Sequence, residues 1–177
     1  MRLVAAASVL CVIDVQDRLL PAMADGDRVV SRCGRLAAAA RLLDVPAILT
    51  EQYPQGLGGT AAPLAAVLPR PVTKMSFSCC GVSEFALALP PGRGAIVLCG
   101  LETHVCVAQT ALDLLARGYA VFVAVDAVAS RHPIDHDTAL RRLEAAGAIL
   151  TTSEAVLFEW CGTAEHPRFQ DVRKLVR

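Results

Sequence analysis

The chain has 177 residues and a mass of 18.7 kDa, which suits one domain over residues 1–177 and leaves little room for a second. Hydrophobic residues make up 54% and charged residues 19%, with a mean hydropathy of +0.47, so the chain is too apolar to be disordered. Lys+Arg and Asp+Glu are both 17; this zero net charge lacks the basic surplus that nucleic acid or an anionic membrane surface would require, and it removes the self-repulsion that keeps copies apart. A homo-oligomer acting on a small molecule is the expectation, with no nucleic-acid or membrane partner.

Met1-Arg2 followed by the apolar run Leu3 to Ile13 imitates a signal peptide, but Asp14 ends the run without a small-x-small cleavage site. Eleven apolar residues are also too few to span a bilayer, so Ser8 to Asp14 is read as a strand buried on both faces. Val29, Cys33, Leu36, Ala40 and Leu43 recur at helical spacing and predict a helix over Arg28–Leu43. Pro46 to Glu51 reads as a second strand, Gln52 to Thr60 as a loop rich in Gly and Pro, and Val72 to Met75 as a short strand. A short helix is predicted over Ser83–Leu89. The run Ala95–Gly100 is the clearest strand, followed by a helix over Val105–Arg117 that stops at Gly118. Ala120–Asp126 is a further strand, Asp135–Ala146 a further helix, and Ala148–Thr151 a last strand. Thr152 and Ser153 then offer an N-cap to a helix over Glu154–Cys161.

Apolar strands alternating with amphipathic helices require a sheet covered on both faces, so the expected fold is α/β, a three-layer α/β/α sandwich around a six-stranded, mostly parallel sheet. In such sheets ligands bind beyond the carboxyl ends of the strands. That rule selects Asp14, Gln16, Glu51 to Tyr53, Lys74, Glu102 to Cys106 and Asp126.

Seven cysteines, an odd number without Cys-x-x-Cys spacing, argue against a disulfide framework or a zinc site and fit a reducing cytoplasm. No metal and no cofactor is expected. Cys11, Cys33, Cys99 and Cys161 fall on strands or apolar helix faces and read as packing residues, whereas Cys106 falls at the start of a helix just past a strand. Helix amides there favour a thiolate, so its pKa is expected to be lowered. Cys79 and Cys80, a vicinal pair in a loop, are the rival candidates. A Cys–His dyad is disfavoured, since His104 lies two residues from Cys106 on the same turn and points elsewhere, while His132, His136 and His166 follow no strand directly. Asp14 and Lys74 are better placed: a carboxylate can take the thiol proton and an ammonium can stabilise the resulting anions.

The motifs Val12-Ile13-Asp14-Val15-Gln16, Thr73-Lys74-Met75-Ser76-Phe77-Ser78, Gly100-Leu-Glu-Thr-His-Val-Cys106 and Asp126-Ala-Val-Ala-Ser130-Arg131 together resemble the isochorismatase-like cysteine hydrolases, and the likeness runs over almost the whole chain. Thr50 to Pro54, Gly56 to Gly58 and Leu150 to Glu154 are most similar to the small isochorismatase-domain proteins. The resemblance implies a catalytic triad of Asp14, Lys74 and Cys106, a cis peptide at Leu101–Glu102, and an oxyanion hole formed by the backbone N–H groups of Glu102 and Cys106. Gln16, Tyr53 and Phe77 are expected to bind substrate, with packing as the alternative role. Thr103 is expected to support the turn or to cap the helix.

Two departures from better-known relatives narrow the chemistry. Nicotinamidases of the family hold a metal with histidines near the loop that here reads Glu51 to Gly59, and this loop contains none. True isochorismatases lack the cysteine that is present here as Cys106. Hydrolysis of a small amide-like substrate through a thioester is therefore the leading expectation. Ether hydrolysis of the isochorismatase type, a non-catalytic scaffold role and a cysteine redox role are the alternatives. The cluster Gly56-x-Gly58-Gly59 matches no phosphate loop and reads as a flexible pocket rim.

Overall fold

The computed structural model describes residues Met1–Arg177. The elements run β1 (Ser8–Ile13), α1 (Gly26–Leu42), β2 (Ala47–Gln52), α2 (Pro54–Leu57), α3 (Ala62–Ala65), β3 (Val72–Lys74), α4 (Ser83–Ala88) and β4 (Ala95–Leu101). They continue with α5 (Ala108–Ala116), β5 (Ala120–Ala129), α6 (Pro133–Ala145), β6 (Ile149–Thr151), α7 (Ser153–Cys161) and α8 (Phe169–Lys174). All six strands join one sheet in the order β3-β2-β1-β4-β5-β6, and every pairing is parallel. A parallel sheet needs both faces covered, which is why β1 and β4 are apolar and buried at every position.

Alternate side chains of the same strand enter different cores. Leu10 and Val12 of β1 face a core that includes Leu36 and Ala40 of α1, Val156 and Trp160 of α7 and Val172 of α8. Val9, Cys11 and Ile13 face the other, with Phe85 of α4, Ala111 and Leu114 of α5, and Leu143 of α6. Four cysteines complete these layers without disulfides, with Cys33, Cys99 and Cys161 in the first and Cys11 in the second. No helix is long and apolar enough to cross a membrane.

Two differences from the sequence reading have local causes. β5 runs on to Ala129 rather than stopping at Asp126, because Val128 and Ala129 go on pairing with Gly100 and Leu101 of β4, and the Asp126 carboxylate reaches α7. It accepts hydrogen bonds from Ser153 N at 2.6 Å and Ser153 Oγ at 2.5 Å, so Asp126 is a helix anchor and not a strand-end site residue. Residues Thr103–Val107 form one turn of π-helix ahead of α5, where a regular α-helix was expected. The short helices α2, α3 and α8 escaped the sequence reading because four to six residues carry too little periodicity to register.

The sheet order reverses its winding between β1 and β4: from β1 the chain builds outward to β2 and β3, then crosses back to β4 and builds the other way. At this crevice the strands approach closely at Gly100. Its φ is +114°, and a Cβ there would lie 2.0 Å from the carbonyl oxygen of Ile13. Beside it, the β4–β5 register shifts between Leu98 and Gly100. Only glycine satisfies both the close contact and the backbone angle.

Candidate active site

Asp14, Lys74 and Cys106 converge beyond the carboxyl ends of β1, β3 and β4. Asp14 is the first residue past β1 and has a positive φ of 51°. Its carboxylate is fully buried and accepts a 2.7 Å hydrogen bond from Thr50 Oγ1 through Oδ1 and a 2.7 Å ion pair from Lys74 Nζ through Oδ2. Thr50 sits on β2, directly opposite Ile13, so the β1–β2 register delivers its hydroxyl to the first residue beyond the strand. Sequence reasoning missed Thr50; the signal available was a lone hydroxyl at the end of an apolar strand.

Lys74 ends β3, two strands from β1, and crosses over β2 to reach Asp14. Its ammonium also donates to Gln52 Oε1 at 2.8 Å, and the following loop curls back so that the carbonyls of Phe77 (3.0 Å) and Ser76 (3.3 Å) accept from the same nitrogen. A buried ion pair is tolerable only when its remaining donors and acceptors are satisfied, and here they are. Burial works to lower the Lys74 pKa, but the Asp14 carboxylate, aided by Cys106, raises it above the usual lysine value. The cation is retained.

Cys106 lies inside the π-turn, only 7% exposed, with Asp14 and Lys74 as the charged groups that act on its thiol. Its pKa is pushed up to about 12, first by burial and then by the Asp14 charge, with Lys74 opposing. This reverses the expected lowering. Desolvation and the facing carboxylate outweigh the helix amides that favour a thiolate. Cys106 therefore rests as a neutral thiol with an acceptor beside it. Cys79, the rival, is buried beneath the site with its pKa raised to about 11 by burial and by Asp14. Its backbone N–H is tied to Thr110 Oγ1 at 3.0 Å. Cys80 is half-buried and its pKa is raised by burial.

A cavity of about 90 Å³ opens on Cys106, walled by Leu19, Gln52, Leu57, Phe77, Glu102 and Val105. Phe77 forms part of that wall. Tyr53 does not line the cavity; its ring lies over Gly56, where a Cβ would come within 2.1 Å of it. Gln16 is a correction of a different kind. It is fully buried, its Nε2 donates to the carbonyls of Gln52 (3.0 Å) and Gly58 (2.7 Å), and its Oε1 accepts from Gln52 N (2.8 Å). The amide is consumed by backbone and supports the pocket from behind.

The same bonds correct the reading of the rim as flexible. Asp17 N and Arg18 N donate to the carbonyls of Gly59 and Leu57 at 3.0 and 3.1 Å, and Glu51 Oε1 accepts from Thr60 N and Oγ1, each at 2.7 Å. The Gly-rich segment is pinned to residues 16–18, with an isolated antiparallel bridge between Gln16 and Thr60 outside the sheet.

The Leu101–Glu102 peptide is cis. Three consecutive side chains beyond it are held by residues 130–136. Glu102 Oε1 accepts from Arg131 N (3.2 Å) and Nε (3.0 Å), Thr103 Oγ1 meets His136 Nδ1 at 2.9 Å, and His104 Nδ1 meets Ser130 Oγ at 2.9 Å. Thr103 thus supports the turn through a tertiary bond and does not cap the helix. His104 points to Ser130 and Asp135, not to Cys106. No group of three or more His, Cys, Asp or Glu side chains is close enough to hold a metal ion.

The buried acid, the buried lysine and the thiol meet at the β1–β4 crevice beyond the strand ends, where open α/β proteins bind their ligands. The Isochorismatase domain model matches residues 8–155, and the chain belongs to that family. It is 41% identical over 176 residues to isochorismatase domain-containing protein 2A of Mus musculus, covering 99% of this chain and 85% of that one. Among solved structures it is similar to the MAR1 ribonuclease of Caenorhabditis elegans, with TM-score 0.95 and 41% identity over 99% of this chain and 92% of that one. The Escherichia coli YcaC gene product, described as an octameric hydrolase of unknown specificity, superposes with TM-score 0.87 at 26% identity, covering 99% of this chain and 95% of that one.

Proposed function

We propose that the protein hydrolyses a small amide-like C–N bond through a thioester on Cys106. The observation that carries this reading is a buried Asp14–Lys74 pair, closed at 2.7 Å, whose two charges both act on the Cys106 thiol. Asp14 takes the Cys106 proton as the sulfur attacks the substrate carbonyl; because the resting thiol has a pKa of about 12, proton transfer accompanies attack rather than preceding it. Lys74, whose ammonium loses the Asp14 charge on that transfer, stabilises the negative charge that develops at the reacting sulfur and oxygen. The backbone N–H groups of Glu102 and Cys106 receive the oxyanion. The C–N bond then breaks, the amine leaves with the proton held by Asp14, and a water deprotonated by Asp14 hydrolyses the thioester, returning the proton to sulfur.

A pocket of about 90 Å³ fits a small substrate group against the flat wall of Phe77, while Gln16 and Tyr53, outside its lining, hold the rim at Gly58 and Gly56. It is far smaller than a ribonucleotide, and the chain has no cationic surplus, so the activity named for the C. elegans structure is not the reading favoured for this chain. The test is a screen of small amides, carbamoyl compounds and ureides with ammonia detection. Turnover should fall at least about 10³-fold in Cys106→Ala and in Asp14→Ala, the order expected when a nucleophile or its base is removed. Retained turnover in either variant, or RNA cleavage lost with Cys106, would overturn the reading.

The folded unit is read as one domain over residues 1–177 that self-associates. Support comes from the zero net charge, the exposed Met75 and Phe77 beside the pocket, and the octameric state described for the E. coli structure. Light scattering should give a mass that is a multiple of 18.7 kDa. A monomer mass at micromolar concentration would refute self-association.

A further inference from the structure

A second cavity, of about 210 Å³, lies on the same carboxyl rim of the sheet, between the start of α1 and the β5–α6 connection. Its wall includes Arg28, Arg131, Ser130 and His136, with Asp25 the one carboxylate among its lining residues. We propose that this cavity binds a small acid through a carboxylate or phosphate group, held between the Arg28 and Arg131 guanidinium groups. The proposal is independent of the Asp14–Lys74–Cys106 chemistry.

Three features favour an anion. The lining carries two guanidinium groups against one carboxylate, and that carboxylate is a weak competitor: Asp25 is largely exposed and lies 3.5 Å from Arg28 Nη2. The Arg28 side chain is already oriented, because its Nη1 donates to the backbone carbonyl of Asp126. Arg131 is oriented in the same way, with Nε on Glu102 Oε1 at 3.0 Å while its two terminal nitrogens make no hydrogen bond within the chain. Those free nitrogens form the planar pair of donors that matches two oxygens of a carboxylate or phosphate. Finally, the cavity abuts the N-terminus of the 13-residue α6, where His132 supplies no side-chain cap. The positive end of the α6 dipole adds to the potential of the two arginines, with Asp135 in the same turn offsetting part of it.

Glu102 borders the Cys106 pocket and holds Arg131, so an acid bound by Arg131 is linked to the turn that carries Cys106 through that one carboxylate. The volume accommodates an acidic group with a few carbon atoms and excludes a nucleic-acid chain.

Isothermal titration calorimetry with sodium phosphate and with sodium succinate, each compared with sodium chloride at equal ionic strength, tests the proposal and separates the two sources of the acidic group. Saturable binding of at least one anion is expected, weakened at least about tenfold in Arg28→Gln and in Arg131→Gln, where each loses a charge-assisted bond. Ala24→Trp, which fills the cavity from an exposed lining position and leaves every charged group in place, should abolish it. Heats that only follow ionic strength, or undiminished affinity in any folded one of the three variants, would overturn the proposal.

Discussion

Asp14 serves two neighbours with opposite needs. Its carboxylate stabilises the Lys74 cation at 2.7 Å and, by the same charge, disfavours a thiolate on Cys106. Replacing it with the isosteric amide should therefore separate reactivity from turnover. In Asp14→Asn the Cys106 pKa should fall, because a raising charge is gone while Lys74 remains, and each unit of fall multiplies the thiolate fraction about tenfold. Alkylation of Cys106 by iodoacetamide at pH 8, followed by mass spectrometry, should accelerate, while hydrolysis of any substrate should be lost. Cys80, which is half-buried and has Arg117 and Asp113 as its charged neighbours, should react at an unchanged rate and serves as the internal control. Slower alkylation of Cys106 in the variant would contradict the charge balance described for the site.

Among the elements, β1 and β4 set the dimensions of the crevice, and Gly100 sets how closely they lie. An alanine at this position meets the Ile13 carbonyl at 2.0 Å and also suffers at φ +114°. Backbone on both sides of the contact belongs to fully buried strands, so neither can retreat. Gly100→Ala should lower the unfolding free energy by about 3–5 kcal/mol, the range reached when strain and a core clash coincide. Gly94→Ala is the matched control, since nothing lies within 4 Å of its added methyl and its φ is not positive. Urea denaturation of the two variants should show a large shift of midpoint for the first and little for the second.

For the whole molecule, the buried ionisable groups act together on stability. Cys11, Cys79 and Cys106 all have pKa values raised above the ordinary 9.0, Cys79 to about 11 and Cys106 to about 12, and Lys74 is raised above 10.5. Each holds its proton more firmly folded than unfolded. Their contribution is complete below pH 9 and is lost as the pH rises through the folded values. While one such group is protonated folded and ionised unfolded, stability drops by about 1.4 kcal/mol per pH unit. The urea midpoint should thus be flat from pH 7 to 8.5 and fall steeply between pH 9 and 11. The Cys79→Ala and Cys106→Ala variants should each show a shallower fall. An alkaline limb unchanged by both substitutions would assign the loss to other groups.

Much of this architecture was legible in the chain, because continuous apolar runs such as Ala95–Leu101 and helical periodicities such as that of α1 are local patterns with one stable solution, a covered parallel sheet. The strand-end rule then drew Asp14, Lys74 and Cys106 into one short list. What the chain could not reveal depends on partners far away in sequence. Gln16 looks like a substrate contact until its amide is seen bonded to residues 36 and 42 positions away, and Asp126 looks like a site residue until Ser153 arrives beneath it. The Cys106 pKa turned on desolvation and on a carboxylate 92 positions earlier, neither of which the helix start discloses. Tertiary structure alone decided that β3 should lie where a lysine can reach across β2 to Asp14, that Gly100 should seat β4 against β1, and that Arg28 and Arg131 should face one cavity. Hydrophobic patterning is written along the chain at a period of a few residues; hydrogen-bond satisfaction and electrostatics exist only once distant segments meet.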